Sequence, residues 1–410
     1  MIDARRGTVS ATARRWIPAL AVAIGLTAVP VAAADPVPAG LDFYSAAPDL
    51  MAGEHGSVIR SRPLTADPAL PGARNHLVLY RSVDLEGSPV AVSGTVAVPE
   101  GEPPAGGWPL ISWAHGTTGT ADVCAPSRDT SAAFPAHDYT AAVRQRQARW
   151  IAAGYAVAQT DYQGLGTPGP HGYLIGEAEQ RAVADMASAA RAVEPGIGTR
   201  WVAMGHSQGG QAAVFADARA GEWAPQLELV GAVAMAPASH LGPVVRGLAG
   251  LGQVDLPGGA VPAGSLSFLP LFVRGAETVG PIDSAKFLAP QALSMLAQAD
   301  DRCIGQLRAA DSWGGLPPGG VFTAGADTDD LTAVLDANDP SSLSLTTPLL
   351  VQQGTADVVV LPAATTAMVA RLQLSGNPVD YRSYPGVDHR GVVDAGADDA
   401  LAWVDARFGR

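Results

Sequence analysis

Short apolar runs alternate with longer amphipathic stretches through most of this chain, and that rhythm predicts an α/β fold. Residues 200–204 and 229–235 are such runs and read as buried strands, and 108–114, 155–160 and 347–353 read as further strands of the same sheet. Between them, residues 138–153, 177–193, 211–220 and 361–374 have helical composition. Gly154 stands where a C-cap is expected, and Ala182, Met186 and Ala190 share one helix face. Residues 76–83 and 89–98, joined by Asp84-Leu-Glu-Gly-Ser88, predict an antiparallel hairpin at the start of the sheet. A strand over 379–384 and a helix over 398–408 close the pattern. Strands alternating with helices imply a mostly parallel central sheet with helices on both faces. Ligands of such sheets bind at the carboxyl ends of the strands.

The rhythm breaks in two places. Residues 35–74 are rich in proline and alanine, with little periodicity, and read as an extended arm on the domain. Residues 240–345 hold Pro/Gly-rich pieces, the apolar run 265–273 and a helical stretch around 290–307. They read as a helical cap or lid inserted between a first part of the core, 35–239, and a second, 346–410. The cap's apolar residues either line an acyl pocket or form a core of its own.

Composition adds a compartment. Arg5, Arg6, Arg14 and Arg15 precede an apolar stretch over 17–31 and Ala32-Ala33-Ala34, so residues 1–34 read as a secretory signal peptide. The Arg14-Arg15 pair leaves twin-arginine export open beside the general route. Removing four arginines and one aspartate with that segment takes the net charge from −13 to −16. Such acidity disfavours nucleic acid and anionic membrane surfaces as bulk partners. Cys124 and Cys303 are the only cysteines; in an exported chain the pair reads as a disulfide, ahead of two free thiols or a metal site.

The chemistry centres on Gly205-His206-Ser207-Gln208-Gly209, which matches G-x-S-x-G between a strand and a helix. In that motif a serine sits on a strained turn with its hydroxyl lifted above the sheet edge. Upstream, a strand runs directly into His115-Gly116-Thr117-Thr118-Gly119, the position where α/β-hydrolases place one oxyanion donor. Gly116 allows close approach, so Thr117 N–H is the first candidate donor and Gln208 N–H the second; the alternative is a tight turn capped by His115. The order Ser, acid, His selects His389, because His240 opens the cap and no other histidine follows Ser207. Asp357 ends a strand and is the candidate acid. Asp388, adjacent to His389, is poorly placed to bond its neighbour's ring and reads as a turn cap. Gly164, Gly166 and Gly169 formally match a dinucleotide fingerprint, but Pro168 and Pro170 stand where the phosphate-binding helix would begin. No cofactor or metal is called for.

These residues resemble the secretory lipases of the α/β-hydrolase superfamily in their bacterial secreted form. The likeness runs through Phe43-Tyr44, Gly56-Ser-Val-Ile-Arg-Ser-Arg62, Trp113-Ala-His-Gly-Thr-Thr-Gly119, Cys124-Ala-Pro126, Asp161-Tyr-Gln-Gly-Leu-Gly-Thr-Pro168, the elbow and Gly354-Thr-Ala-Asp357. The resemblance implies a secreted esterase or lipase with a helical lid and the triad Ser207, Asp357 and His389. Its partner would be a small-molecule or lipid ester, with transient lipid-interface contact through the cap. An acyltransferase and a proline-directed peptidase use the same triad and stay open as alternatives. A non-catalytic adhesion module on this fold would normally lack a triad residue, and all three are present.

Overall fold

The computed structural model describes Gly7, residues 38–251 and residues 264–410. The signal-peptide reading of residues 1–34 lies outside the described residues, Gly7 apart. Among the described residues, nine strands form one sheet: β1 (Val58–Pro63), β2 (Ala73–Val83), β3 (Pro89–Pro99), β4 (Trp108–Ala114), β5 (Ala156–Thr160), β6 (Ile197–His206), β7 (Glu228–Met235), β8 (Leu349–Gly354) and β9 (Val379–Tyr384). Their order is β1-β2-β3-β5-β4-β6-β7-β8-β9. The β1–β2, β2–β3 and β3–β5 pairs are antiparallel, and every later pair is parallel.

The longer helices are α1 (His137–Ala152), α2 (Gly176–Val193), α3 (Gln208–Trp223), α4 (Leu241–Leu251), α5 (Leu269–Glu277), α6 (Asp329–Ala337), α7 (Pro362–Leu374) and α8 (Ala397–Phe408). Helices cover both faces of the sheet, so the central strands are apolar at successive positions. In β6, Trp201 and Ala203 join one core with Val183 and Met186 of α2 and Ala213 of α3. Val202 and Met204 point to the opposite core, with Val143 and Trp150 of α1 and Trp403 and Val404 of α8. This alternation is the period of two that a strand imposes. Each large apolar side chain so buried contributes roughly 1.5 to 3 kcal/mol. Gly154, expected to cap α1, has φ +86°, the left-handed conformation that ends the helix one residue past its C-cap Ala153.

Two expectations need correction. The stretch 35–74 is not only an arm, because it holds 3₁₀ and α turns at Gly40–Tyr44 and Pro48–Met51 and the edge strand β1. As an edge strand β1 is half-buried along most of its length, so its side chains show no alternation to read. The helical stretch around 290–307 is broken into short turns, Pro290–Met295, Leu296–Asp300 and Ile304–Leu307. Cys303 is extended, with φ −80° and ψ 164°, which interrupts any continuous helix there.

The segment between β7 and β8 carries α4, α5 and α6 and has its own apolar cluster, including Leu269, Leu271, Val273, Phe287, Trp313 and Leu331. Cys303 of this segment forms a disulfide with Cys124, 179 positions away. Gly119 and Cys303 also pair as an antiparallel bridge, and Ile304 N–H donates to Thr118 O at 2.8 Å. The insertion is thereby attached beside the loop after β4. Among the described residues no helix is long and apolar enough to cross a membrane.

A cross-link closing so long a loop restricts the unfolded chain strongly. Replacing Cys124 and Cys303 together by serine is expected to lower the free energy of unfolding by roughly 2 to 4 kcal/mol, read from urea midpoints. An unchanged midpoint would mean that packing alone holds the insertion in place.

Candidate active site

Loops from the carboxyl ends of β4, β6, β8 and β9 converge on Ser207. The turn from β6 into α3 is tight enough to exclude side chains on its inner side. A Cβ on Gly209 would lie 1.9 Å from Ala114 O, and one on Gly205 would lie 2.1 Å from Gly209 O. Glycine at both positions lets the elbow close against the end of β4. Ser207 itself takes φ +58°, a conformation that costs an L-residue energy and persists only where its surroundings fix it. Here Ser207 N–H donates to Met235 O at 2.8 Å, and Ser207 O accepts from Gln211 N–H and Ala238 N–H, each at 3.1 Å.

Ser207 Oγ lies 2.9 Å from His389 Nε2, and His389 Nδ1 lies 2.7 Å from Asp357 Oδ2. The Asp357 carboxylate is buried and fully engaged. Its Oδ1 accepts from Val359 N–H at 2.8 Å and Val360 N–H at 2.9 Å, and its Oδ2 also accepts from Gln353 Nε2 at 3.0 Å. Because the His389 Nδ1 proton faces a carboxylate, Nε2 is left with a lone pair toward the serine hydroxyl. The turn carrying Asp357 and the loop carrying His389 are joined by Ala356 N–H donating to Val387 O at 2.9 Å. Asp388 Oδ1 instead accepts from Gly391 N–H at 2.7 Å, and His240 faces Asp339.

The loop after β4 is held from several sides. Gly116 N–H donates to Tyr139 Oη at 2.8 Å, and Tyr139 Oη lies 3.1 Å from His206 Nδ1. His206 Nε2 lies 2.8 Å from His389 O. Burial holds the His206 pKa well below its ordinary value, so the ring is neutral with one N–H. A carbonyl can only accept, so that proton sits on Nε2 and Tyr139 donates to Nδ1. One hydrogen-bonded chain thus links the loop after β4, the elbow and the His389 loop. Thr117 Oγ1 meets Tyr173 Oη at 2.7 Å, and Tyr162 Oη donates to His115 O at 2.8 Å. Among the described residues, neither Thr117 N–H nor Gln208 N–H makes a hydrogen bond. The latter is the first residue of α3, where backbone donors have no partner within the helix.

The Gln208 side chain turns inward, donating to Glu179 Oε1 at 2.7 Å and to His171 Nε2 at 3.1 Å. Burial pushes the Glu179 carboxyl up to about 8 and pulls His115 and His171 down to about 4. Sequence reasoning missed Tyr139, His171, Glu179 and His206 as supports of the site. His206 had a signal, since it lies inside the elbow; the others are single residues on α1, α2 and a loop, brought together only by the fold. Over Ser207 the insertion contributes Phe268, Ile304 and Arg308 to a narrow cleft of about 20 Å³.

The profile of a family described as secretory lipase matches residues 145–258, and that of the prolyl oligopeptidase family matches residues 322–409. A protein of Mycobacterium tuberculosis (strain CDC 1551 / Oshkosh), named "Probable inactive lipase", is 25% identical over 350 residues, covering 81% of this chain and 73% of its own. Among solved structures, the chain is similar to Candida antarctica lipase A in its closed state, with 19% identity, TM-score 0.70, and 87% of this chain and 83% of that one covered. It is likewise similar to the rice cell wall degrading esterase LipA from Xanthomonas oryzae, with 19% identity, TM-score 0.67, and 87% and 98% covered. These structural likenesses are of fold, and the fold is that of the α/β-hydrolases.

The buried groups give stability a definite pH dependence. Between its ordinary 4.5 and about 8, folded Glu179 keeps a proton that the unfolded chain releases, so its contribution to stability falls as pH rises through that window. His115 and His171 act oppositely: their contributions are complete above 6.5 and are lost as pH falls toward about 4. Asp217, raised by burial to about 6, has the sign of Glu179 but is largely titrated by pH 6.5. From pH 6.5 to 8 the urea midpoint is therefore expected to fall in the native protein and to fall less steeply in Glu179→Gln, where His55, raised by its hydrogen bond to Asp185, still acts with the same sign. An equally steep fall in the variant would assign the dependence to another group.

Proposed function

The chain is secretory-lipase-like in sequence and an α/β-hydrolase in fold, and from that premise we propose that it is a serine ester hydrolase with Ser207, His389 and Asp357 as its triad. The observation that carries this reading is the continuous hydrogen-bonded line from Asp357 through His389 to Ser207. His389 Nε2 accepts the Ser207 proton as Oγ attacks the ester carbonyl, and Asp357 stabilises the resulting imidazolium. The imidazolium then protonates the leaving alkoxide, leaving an acyl group on Oγ. Water, deprotonated by the same nitrogen, attacks the acyl-enzyme and releases the acid.

Negative charge on the tetrahedral oxygen is received by Thr117 N–H and Gln208 N–H, whose lack of other partners among the described residues supports this role. An oriented donor of this kind lowers the barrier by roughly 2.7 to 4 kcal/mol. The insertion between β7 and β8 serves as the cap that shapes the acyl or alcohol site, a reading supported by Phe268 and Ile304 in the cleft. Export, by way of residues 1–34, places the enzyme outside the cell; the secretory lipase match supports this. A second reading, a peptidase, is favoured by one observation: the prolyl oligopeptidase match spans both Asp357 and His389.

Ser207→Ala is expected to abolish hydrolysis of p-nitrophenyl butyrate while leaving the urea midpoint close to that of the native protein. Asp357→Asn is expected to lower kcat by about 10⁴, since the wrong tautomer of His389 then faces the serine. Ester turnover that survives Ser207→Ala would remove the triad assignment. Cleavage of a prolyl p-nitroanilide with no ester cleavage would favour the peptidase reading.

A further inference from the structure

Two guanidinium groups flank the cleft over Ser207. Arg390, next to His389, is compensated: it pairs with Asp138 at 2.7 Å and lies 5.4 Å from the Tyr139 ring centroid. Arg308, on the inserted segment, is not. Among the described residues it has no ion pair and no side-chain hydrogen bond, and its one close polar-aromatic contact is with Phe268, 5.0 Å from guanidinium carbon to ring centroid. Burial, with repulsion from Arg390 behind it, lowers its pKa. A guanidinium nonetheless stays charged near neutral pH, and this one, half-buried at the cleft, keeps its planar fork of donors open to an incoming acceptor.

The backbone that carries this cation is anchored to the loop after β4. Cys303 is cross-linked to Cys124 and bridged to Gly119, and the helical turn Ile304–Leu307 starts directly after it. Ile304 N–H is bonded to Thr118 O, and Arg308 N–H closes the turn onto Ile304 O at 3.0 Å. Arg308 is thereby presented to the cleft one helical turn from the loop that holds Thr117. General basicity does not account for it, because the chain carries a net charge of −13.

We propose that Arg308 is an anion-recognising subsite of this hydrolase, and that the substrate is an ester bearing an oxyacid group, such as a half-ester of a dicarboxylic acid, on the side facing the insertion. The guanidinium fork receives the two oxygens of that group while Phe268 backs its face. The inference rests on the ester-hydrolase reading and deepens it to a substrate class.

The test compares kcat/KM for 4-nitrophenyl hemiglutarate and its neutral methyl ester. In the native protein the anionic ester is expected to be preferred roughly tenfold or more, the range of one charge-assisted hydrogen-bonded pair. The preference should shrink to about one in Arg308→Gln and persist in Arg219→Gln, which removes an exposed arginine on α3. Competition by glutarate and by orthophosphate, lost in Arg308→Gln, identifies the oxyacid as carboxylate or phosphate by whichever inhibits more strongly. Ser207-dependent turnover with the same preference in native protein and Arg308→Gln overturns the subsite alone. If neither ester is hydrolysed, the hydrolase reading fails, and calorimetry of glutarate and orthophosphate with Ser207→Ala decides the subsite: binding lost on adding Arg308→Gln sustains it, and no binding of either overturns it.

Discussion

The contact on which the rest of the molecule depends is the seating of the β6–α3 turn against the last carbonyl of β4. Gly209 comes so close to Ala114 O that no Cβ fits between them, and Gly205 is closed off by Gly209 O. With the turn pressed inward there, Ser207 is forced outward at φ +58° and the first N–H of α3 is left over the same point. Strain is not confined to the serine. Tyr162 and Ala236 also have positive φ, and both follow within two residues of the ends of β5 and β7. Among the described residues, three of the five non-glycine positions with positive φ thus lie at the carboxyl edge of the sheet, the kind of place where functional sites commonly hold strained backbone.

The seating of the elbow would be of little use without registry among the other loops. That registry comes from buried neutral groups. His206 reaches Tyr139 on one side and the His389 carbonyl on the other, so the spacing between the loop after β4 and the His389 loop is set through the elbow itself. Gln208, next along the chain, turns inward and is held by Glu179 and His171. Burial keeps these histidines neutral and Glu179 protonated across the neutral range, which removes charge that would otherwise compete with the His389–Asp357 pair.

Much of the architecture was legible because central strands covered on both faces are written as apolar runs, as in Leu229 to Met235 of β7. The elbow was legible because glycine is required at two fixed offsets from the serine, and the histidine because only His240 and His389 follow Ser207. Edge positions were less so. β1 has no alternation, since water reaches both of its faces, and the turns around Pro290 to Leu307 depend on an extended Cys303 that the disulfide and the Gly119 bridge impose. Tyr139, Glu179 and Arg308 are isolated polar residues in helical stretches, and nothing in local pattern distinguishes them from solvated surface positions. Their surroundings are built from segments far apart in sequence.

On the proposed mechanism, Ser207 is a nucleophile because His389 takes its proton. Covalent labelling by a fluorophosphonate measures that directly, because the reagent needs an activated serine and no knowledge of the natural ester. One equivalent is expected on the peptide containing Ser207, located by mass spectrometry, with labelling lost in His389→Ala. No adduct at Ser207, or an adduct that forms as readily in His389→Ala, would contradict the account.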